Sequence, residues 1–143
     1  MFKKVIALIA FCCISVSISA APLGQAKHNI SWGQLSKLQG KHSHEKVADK
    51  LLTPALKKVL GRAYSTYKEY HQVSDGIRVI NGNAVEWGMM AHSGGDQSSY
   101  FIFNEAGSVL VIMKNDNAIQ YYGDRSLLDN AATRADAQEK LFK

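Results

Sequence analysis

Between Trp87 and Gln97 the chain reads Trp-Gly-Met-Met-Ala-His-Ser-Gly-Gly-Asp-Gln, which brings an imidazole, a hydroxyl and a carboxylate close together in sequence. His92 could act there as an acid, a base or a hydrogen-bonding group, and Gly94 and Gly95 permit backbone angles closed to other residues. Nucleophilic catalysis would need a serine, a base and an orienting carboxylate held in triad geometry on a strand–elbow–helix frame. Ser93, His92 and Asp96 sit too close in sequence for that, and no such frame surrounds them. Glycoside hydrolysis would need two carboxyl groups across a cleft, such as Glu86 and Asp96, brought together by the fold. His42-Ser43-His44 could offer two imidazoles to zinc or copper, but no third ligand follows at a matching spacing, so no metal is expected. No cofactor motif is present, and none is expected either. Tyr64, Tyr67, Tyr70, Tyr121 and Tyr122 could stack on a sugar or simply pack with satisfied hydroxyls.

These groups need elements to position them. Thr53-Pro54 has the form of a helix start, with a side-chain cap followed by a residue that has no N–H to satisfy. Leu56, Val59, Leu60, Ala63, Tyr64, Tyr67 and His71 then recur at intervals of three and four, and the spacing predicts an amphipathic helix. Gly61 within it points to a close approach by another element. Beyond Gly76 the period turns extended, with strands predicted over Ile77–Ile80, Ala84–Met90, Ser99–Phe103, Ser108–Met113 and Ala118–Tyr122. Asn81-Gly82 suits a tight hairpin turn, and the other short links favour antiparallel neighbours. Val109 to Met113 are apolar without alternation, so both faces of that strand must be covered. The long helix supplies one cover; the N-terminal segment, a C-terminal helix or a second copy in a homodimer could supply the other. Ser126 and Asp129 resemble a helix-start box, ahead of Leu127, Leu128, Ala131, Ala132, Ala135, Leu141 and Phe142. The fold class is α+β: a five-stranded antiparallel meander packed against one long amphipathic helix, with a C-terminal helix.

The N-terminus sets the compartment. Lys3 and Lys4, an apolar run from Val5 to Ile18, and small residues before Pro22 form the three parts of a secretory signal peptide. Cleavage is expected after Ala20, giving a periplasmic or secreted protein without a membrane anchor. Cys12 and Cys13 leave with the signal, and Phe11 before them does not suit lipid attachment. A mostly irregular segment over residues 21–50 is expected, anchored by Ile30, Trp32, Leu35 and Leu38, ahead of a single domain over 51–143. The formal net charge of +5 loses the two leader lysines, and the mildly basic remainder fits anionic glycans or head groups better than nucleic acid.

From the capped helix Leu52-Thr53-Pro54-Ala55-Leu56 through Asn81-Gly82 to Tyr122-Gly123, the chain resembles the periplasmic family of inhibitors of vertebrate lysozyme. The family's loop reads Cys-x-Pro-His-Asp-Cys-Gly, is closed by a disulfide, and inserts its histidine into the lysozyme cleft. Met89-Met90-Ala91-His92-Ser93-Gly94-Gly95 keeps the histidine and the final glycine and lacks both cysteines, the proline and the aspartate. The resemblance implies an inhibitory loop of His92, Ser93, Gly94 and Gly95, a lysozyme-like glycoside hydrolase as partner, and no reaction performed by the chain itself. An imidazole between the two carboxyl groups of a muramidase would hydrogen-bond both. A non-inhibitory envelope module of the same fold, binding a glycan or protein or self-associating, is the alternative. An exposed, rigid loop favours inhibition; a buried His92 with a bare apolar sheet face favours the alternative.

Overall fold

The structure, a computed structural model, describes residues 30–142; the expected leader with its two cysteines lies outside them. Ser31 caps a short helix α1 (Trp32–Ser36) in a reciprocal box with Gln34. Ile30, Leu35 and Leu38 are buried as anticipated, whereas Trp32 is exposed. Helix α2 spans Lys46–Leu60, so the segment before residue 51 is less irregular than expected. Thr53 is not a cap: it lies inside α2 and donates from Oγ1 to Asp49 Oδ1 at 2.5 Å. The apolar stripe begins earlier than Leu56, at Ala48 and Leu52, and tertiary burial along it carries the helix through exposed Pro54. Gly61 ends α2 with φ 52° and ψ −120°. A side chain there would meet nothing within 4 Å, so Gly61 serves a backbone bend and not a close approach. After a 3-10 turn at Gly61–Ala63 the helical path resumes as α3 (Tyr64–Tyr70).

The sheet is antiparallel: β1 (Val73–Ser74), β2 (Arg78–Ile80), β3 (Asn83–Met89), β4 (Gln97–Asn104), β5 (Val109–Asn115) and β6 (Ala118–Gly123). β2 to β6 form the expected meander, and the added β1 shares with β2 one edge of β3. Asn81 (φ 45°) and Gly82 (φ 82°) make the two-residue turn between β2 and β3, the positive-φ pair that matches strand twist.

Every residue of Val109–Met113 is buried, because each sheet face has its own cover. Ala84, Phe101, Phe103, Val109, Val111 and Met113 pack with Leu35, Leu38, Leu52, Leu56 and Leu60. On the reverse face, Val85, Tyr100, Ile102, Leu110 and Ile112 pack with Leu127, Ala137 and Leu141. The C-terminal helix therefore supplies the second cover. This helix, α4 (Ala131–Leu141), starts at Asn130, whose side chain accepts from Thr133 N–H; Ser126 belongs to a preceding 3-10 turn capped by Asp124. Its buried stripe is Thr133, Ala137 and Leu141, while Ala131, Ala132, Ala135 and Phe142 are exposed. Alanines fit either side of a helix, which is why their spacing misled. Polar contacts fix α4: Asp136 takes a two-pronged bond from Arg78 and a 2.5 Å bond from the Tyr100 hydroxyl, and Lys140 lies 2.7 Å from Asp75. Burial pushes the Asp136 carboxyl up, but the Arg78 and Tyr100 bonds and nearby cations outweigh it and hold it below its ordinary value.

Candidate functional site

β3 and β4 stay paired to Met89↔Ser98, and the chain between them forms a loop whose tip carries His92. Four backbone bonds shape it: Met90 N–H to Gln97 O (2.9 Å), Ser93 N–H to Met90 O, Asp96 N–H to Ser93 O, and Asp116 N–H to Asp96 O (2.9 Å). The last ties the loop to the neighbouring β5–β6 turn. Ala91 N–H donates to Gln72 Oε1, and Lys114 Nζ donates to Gly95 O. The Ser93 hydroxyl reaches Met90 O at 2.9 Å and Gln97 O at 3.3 Å. It therefore braces the loop from within, and it is not paired with His92 as a nucleophile. Gly94 (φ 65°) and Gly95 (φ 94°) take the left-handed angles the bend requires.

His92 itself has φ 64°, a left-handed angle that costs a residue with a Cβ on the order of 1 kcal/mol. Its imidazole is exposed. Backbone strain at an exposed ring, within a loop braced on several sides, is the kind of feature that accompanies a binding role. Asp96 and Asp116 are exposed in the two tied segments.

A second polar cluster lies under α3, and sequence reasoning did not assemble it. Glu86 on β3 is fully buried. Its carboxylate accepts from Ser43 N–H at 3.1 Å, from the Ser74 hydroxyl at 2.8 Å, and lies 3.0 Å from His71 Nε2. The other ring nitrogen, His71 Nδ1, lies 2.6 Å from Ser99 Oγ, whose own proton goes to Tyr70 O. The imidazole is thus held on both sides, by the serine hydroxyl at Nδ1 and by the carboxylate at Nε2. His42 Nδ1 lies 2.8 Å from Ser74 Oγ. Burial pushes Glu86 up, yet the hydrogen bond and charge of His71, with bonds from Ser43 and Ser74, prevail and hold its carboxyl below 4.5.

Ser99, His71 and Glu86 stand in the order of a catalytic triad, but Ser99 is fully buried and its hydroxyl also reaches the Tyr70 carbonyl. The cluster instead locks α3, the 42–44 turn and β1 onto β3. Gly88 makes room for it: a Cβ there would sit 2.5 Å from His71 Nδ1. Of the two acids a hydrolase would need, Glu86 is enclosed here and Asp96 is exposed on the hairpin loop. His42 and His44 stack at 5.3 Å between ring centres. Among the described residues no group of three or more His, Cys, Asp or Glu is placed to hold a metal ion, and no helix is long and apolar enough to cross a membrane.

Beside this cluster α3, α2 and the 43–44 turn border an open cleft of about 280 Å³, lined in part by Tyr64, Tyr67 and His71. Compared with models of known families, with curated proteins and with solved structures, the chain gives no significant match.

Proposed function

We propose that the chain is an exported protein, periplasmic or secreted, that inhibits a lysozyme-type muramidase by placing the His92 loop in the enzyme's cleft. The observation that supports this reading is the state of that loop: an exposed imidazole on strained backbone, braced by main-chain bonds, by Ser93 and by Lys114. A loop held in its bound shape before binding loses little entropy on association. Here hydrogen bonds to Gln72, Gln97 and the β5–β6 turn do what a disulfide does in the inhibitors this chain resembles. The imidazole can hydrogen-bond both carboxyl groups of a muramidase and occupy the place of substrate, so inhibition is occlusion and the chain carries out no reaction.

Overall charge gives no long-range attraction toward a basic lysozyme; the loop and the turn tied to it carry exposed Asp96 and Asp116 together with the Lys114 ammonium. The non-inhibitory alternative predicted a buried His92 and a bare sheet face. His92 is exposed, and α4 covers the reverse face. The test is lysis of cell walls by an animal lysozyme and several bacterial muramidases with increasing amounts of the purified protein. Stoichiometric inhibition of at least one enzyme is expected; full activity of all of them at excess protein contradicts the proposal.

A further inference from the structure

The helical layer on the sheet face opposite α4 carries an inference that uses none of the His92 loop. Charge is divided along the chain: residues 30–68 hold eight Lys or Arg against two acids, and residues 69–142 hold five against ten. The small net charge of the whole therefore hides a basic layer beside an acidic remainder, an asymmetry that suits contact with a charged surface. On α2, Lys46, Lys50, Pro54 and Lys57 recur at intervals of four, four and three, which lines them up on one exposed stripe away from the buried Ala48, Leu52 and Ala55. Val47, 57% exposed, lies beside the stripe, and Arg62 is exposed just past its end.

No acid interrupts the stripe. Glu45, before it, accepts from His42 N–H at 2.8 Å and lies 3.9 Å from Lys41, while Asp49 at its border accepts from Thr53. Lys46, Lys50 and Arg62 have no ion pair among the described residues. Folding alone disfavours this arrangement. Lys46 and Lys50 stand one turn apart and repel each other, and Lys46 opens α2, where the helix dipole favours an anion. A negative surface outside the protein turns both repulsions into attraction.

Shape selects the partner. The stripe is the convex outer side of a 15-residue helix, about 22 Å long, and has no walls to enclose a small anion. Lysine is a point charge that needs no planar partner, and the exposed groups between the cations, Val47 and Pro54, are apolar. A flat layer of phosphate head groups over hydrocarbon matches both the charge and the apolar spots. We propose that the outer face of α2 docks on a bilayer containing anionic phospholipid, with Lys46, Lys50, Lys57 and Arg62 at the phosphates and Val47 between them.

The protein is tested from Ala21 on, so that the apolar leader adds no lipid affinity of its own. It is sedimented with vesicles of equal parts phosphatidylglycerol and phosphatidylcholine and with vesicles of phosphatidylcholine alone, and titrated against a DNA duplex. Binding is expected to the mixed vesicles alone, and it should be lost as salt rises from about 50 to about 500 mM. A cation at an anionic surface is worth roughly fivefold in binding, so Lys46→Gln with Lys50→Gln should weaken it about tenfold or more, at a melting temperature no lower than the parent's. Arg125→Gln with Arg134→Gln makes the same change in net charge outside this layer and should weaken it less than about threefold. No binding to the mixed vesicles at low salt, or equal binding to phosphatidylcholine alone, would overturn the proposal. So would equal losses from the two pairs, which would make net charge and not the α2 face responsible, or tighter binding to the duplex than to the vesicles at the same phosphate concentration.

Discussion

His71 and His92 are the same side chain put to opposite uses. His71 is buried, and both its nitrogens are spent on Ser99 and Glu86. His92 is exposed, and its strain lies in the backbone. Both His71 nitrogens and the Glu86 carboxylate have hydrogen-bond partners, so the cluster acts as one structural unit. At the hairpin tip the arrangement is reversed: the main chain and Ser93 are hydrogen-bonded and the imidazole is exposed. On the proposed function, stability and recognition fall to two histidines at different places in the fold, and substitutions should tell them apart.

The largest effect is expected from Glu86→Ala, which leaves the buried His71 ring, the Ser74 hydroxyl and Ser43 N–H without their shared acceptor. Chemical denaturation should show a loss of about 3–5 kcal/mol, and a loss below about 1 kcal/mol would mean the cluster does not hold the fold. Gly88→Ala drives a methyl group into the His71 ring and should cost about 1–3 kcal/mol by overpacking, with His71 ring NMR signals displaced. Acid should act on the same region. Glu86 and Asp136 have folded-state pKa values below their ordinary values of 4.5 and 3.8. Their stabilisation is therefore complete above those values and lost as pH falls through the lower folded ones. Thermal melting should fall on acidification below about pH 4.5, and Glu86→Gln should flatten that fall.

The smallest stability effects belong to the loop. Ser93→Ala removes a brace worth about 1 kcal/mol and should weaken inhibition through a faster off-rate. His92→Ala keeps the strained angle, buries nothing new, and should change stability by less than about 0.5 kcal/mol. A loss as large as that of Glu86→Ala would erase the distinction between the two histidines.

The sheet was legible in the sequence because turn chemistry and apolar period agreed from Asn81 onward. The helix starts were not, because Thr53-Pro54 and Ser126-Asp129 carry local signals that longer stripes, beginning at Ala48 and ending at Leu141, overrode. The loop around His92 could be located from its glycines; its braces on Gln72, Lys114 and Asp116 could not, since they come from distant segments. The His71–Glu86 cluster left a faint trace. His71 continues the apolar stripe of a helix, and Glu86 shares the core face of β3 with Ala84, so each is a polar residue in an apolar pattern. Sequence spacing alone did not show that they meet.

The most direct test of the inhibitory loop compares parent and His92→Ala protein in the cell-wall lysis assay, against a muramidase that the parent inhibits, with melting temperatures measured alongside. The prediction is an inhibition constant raised roughly 30-fold or more, the loss expected for a central contact of about 2 kcal/mol or above, at an unchanged melting temperature. Equal inhibition by the two proteins would contradict the role given to His92.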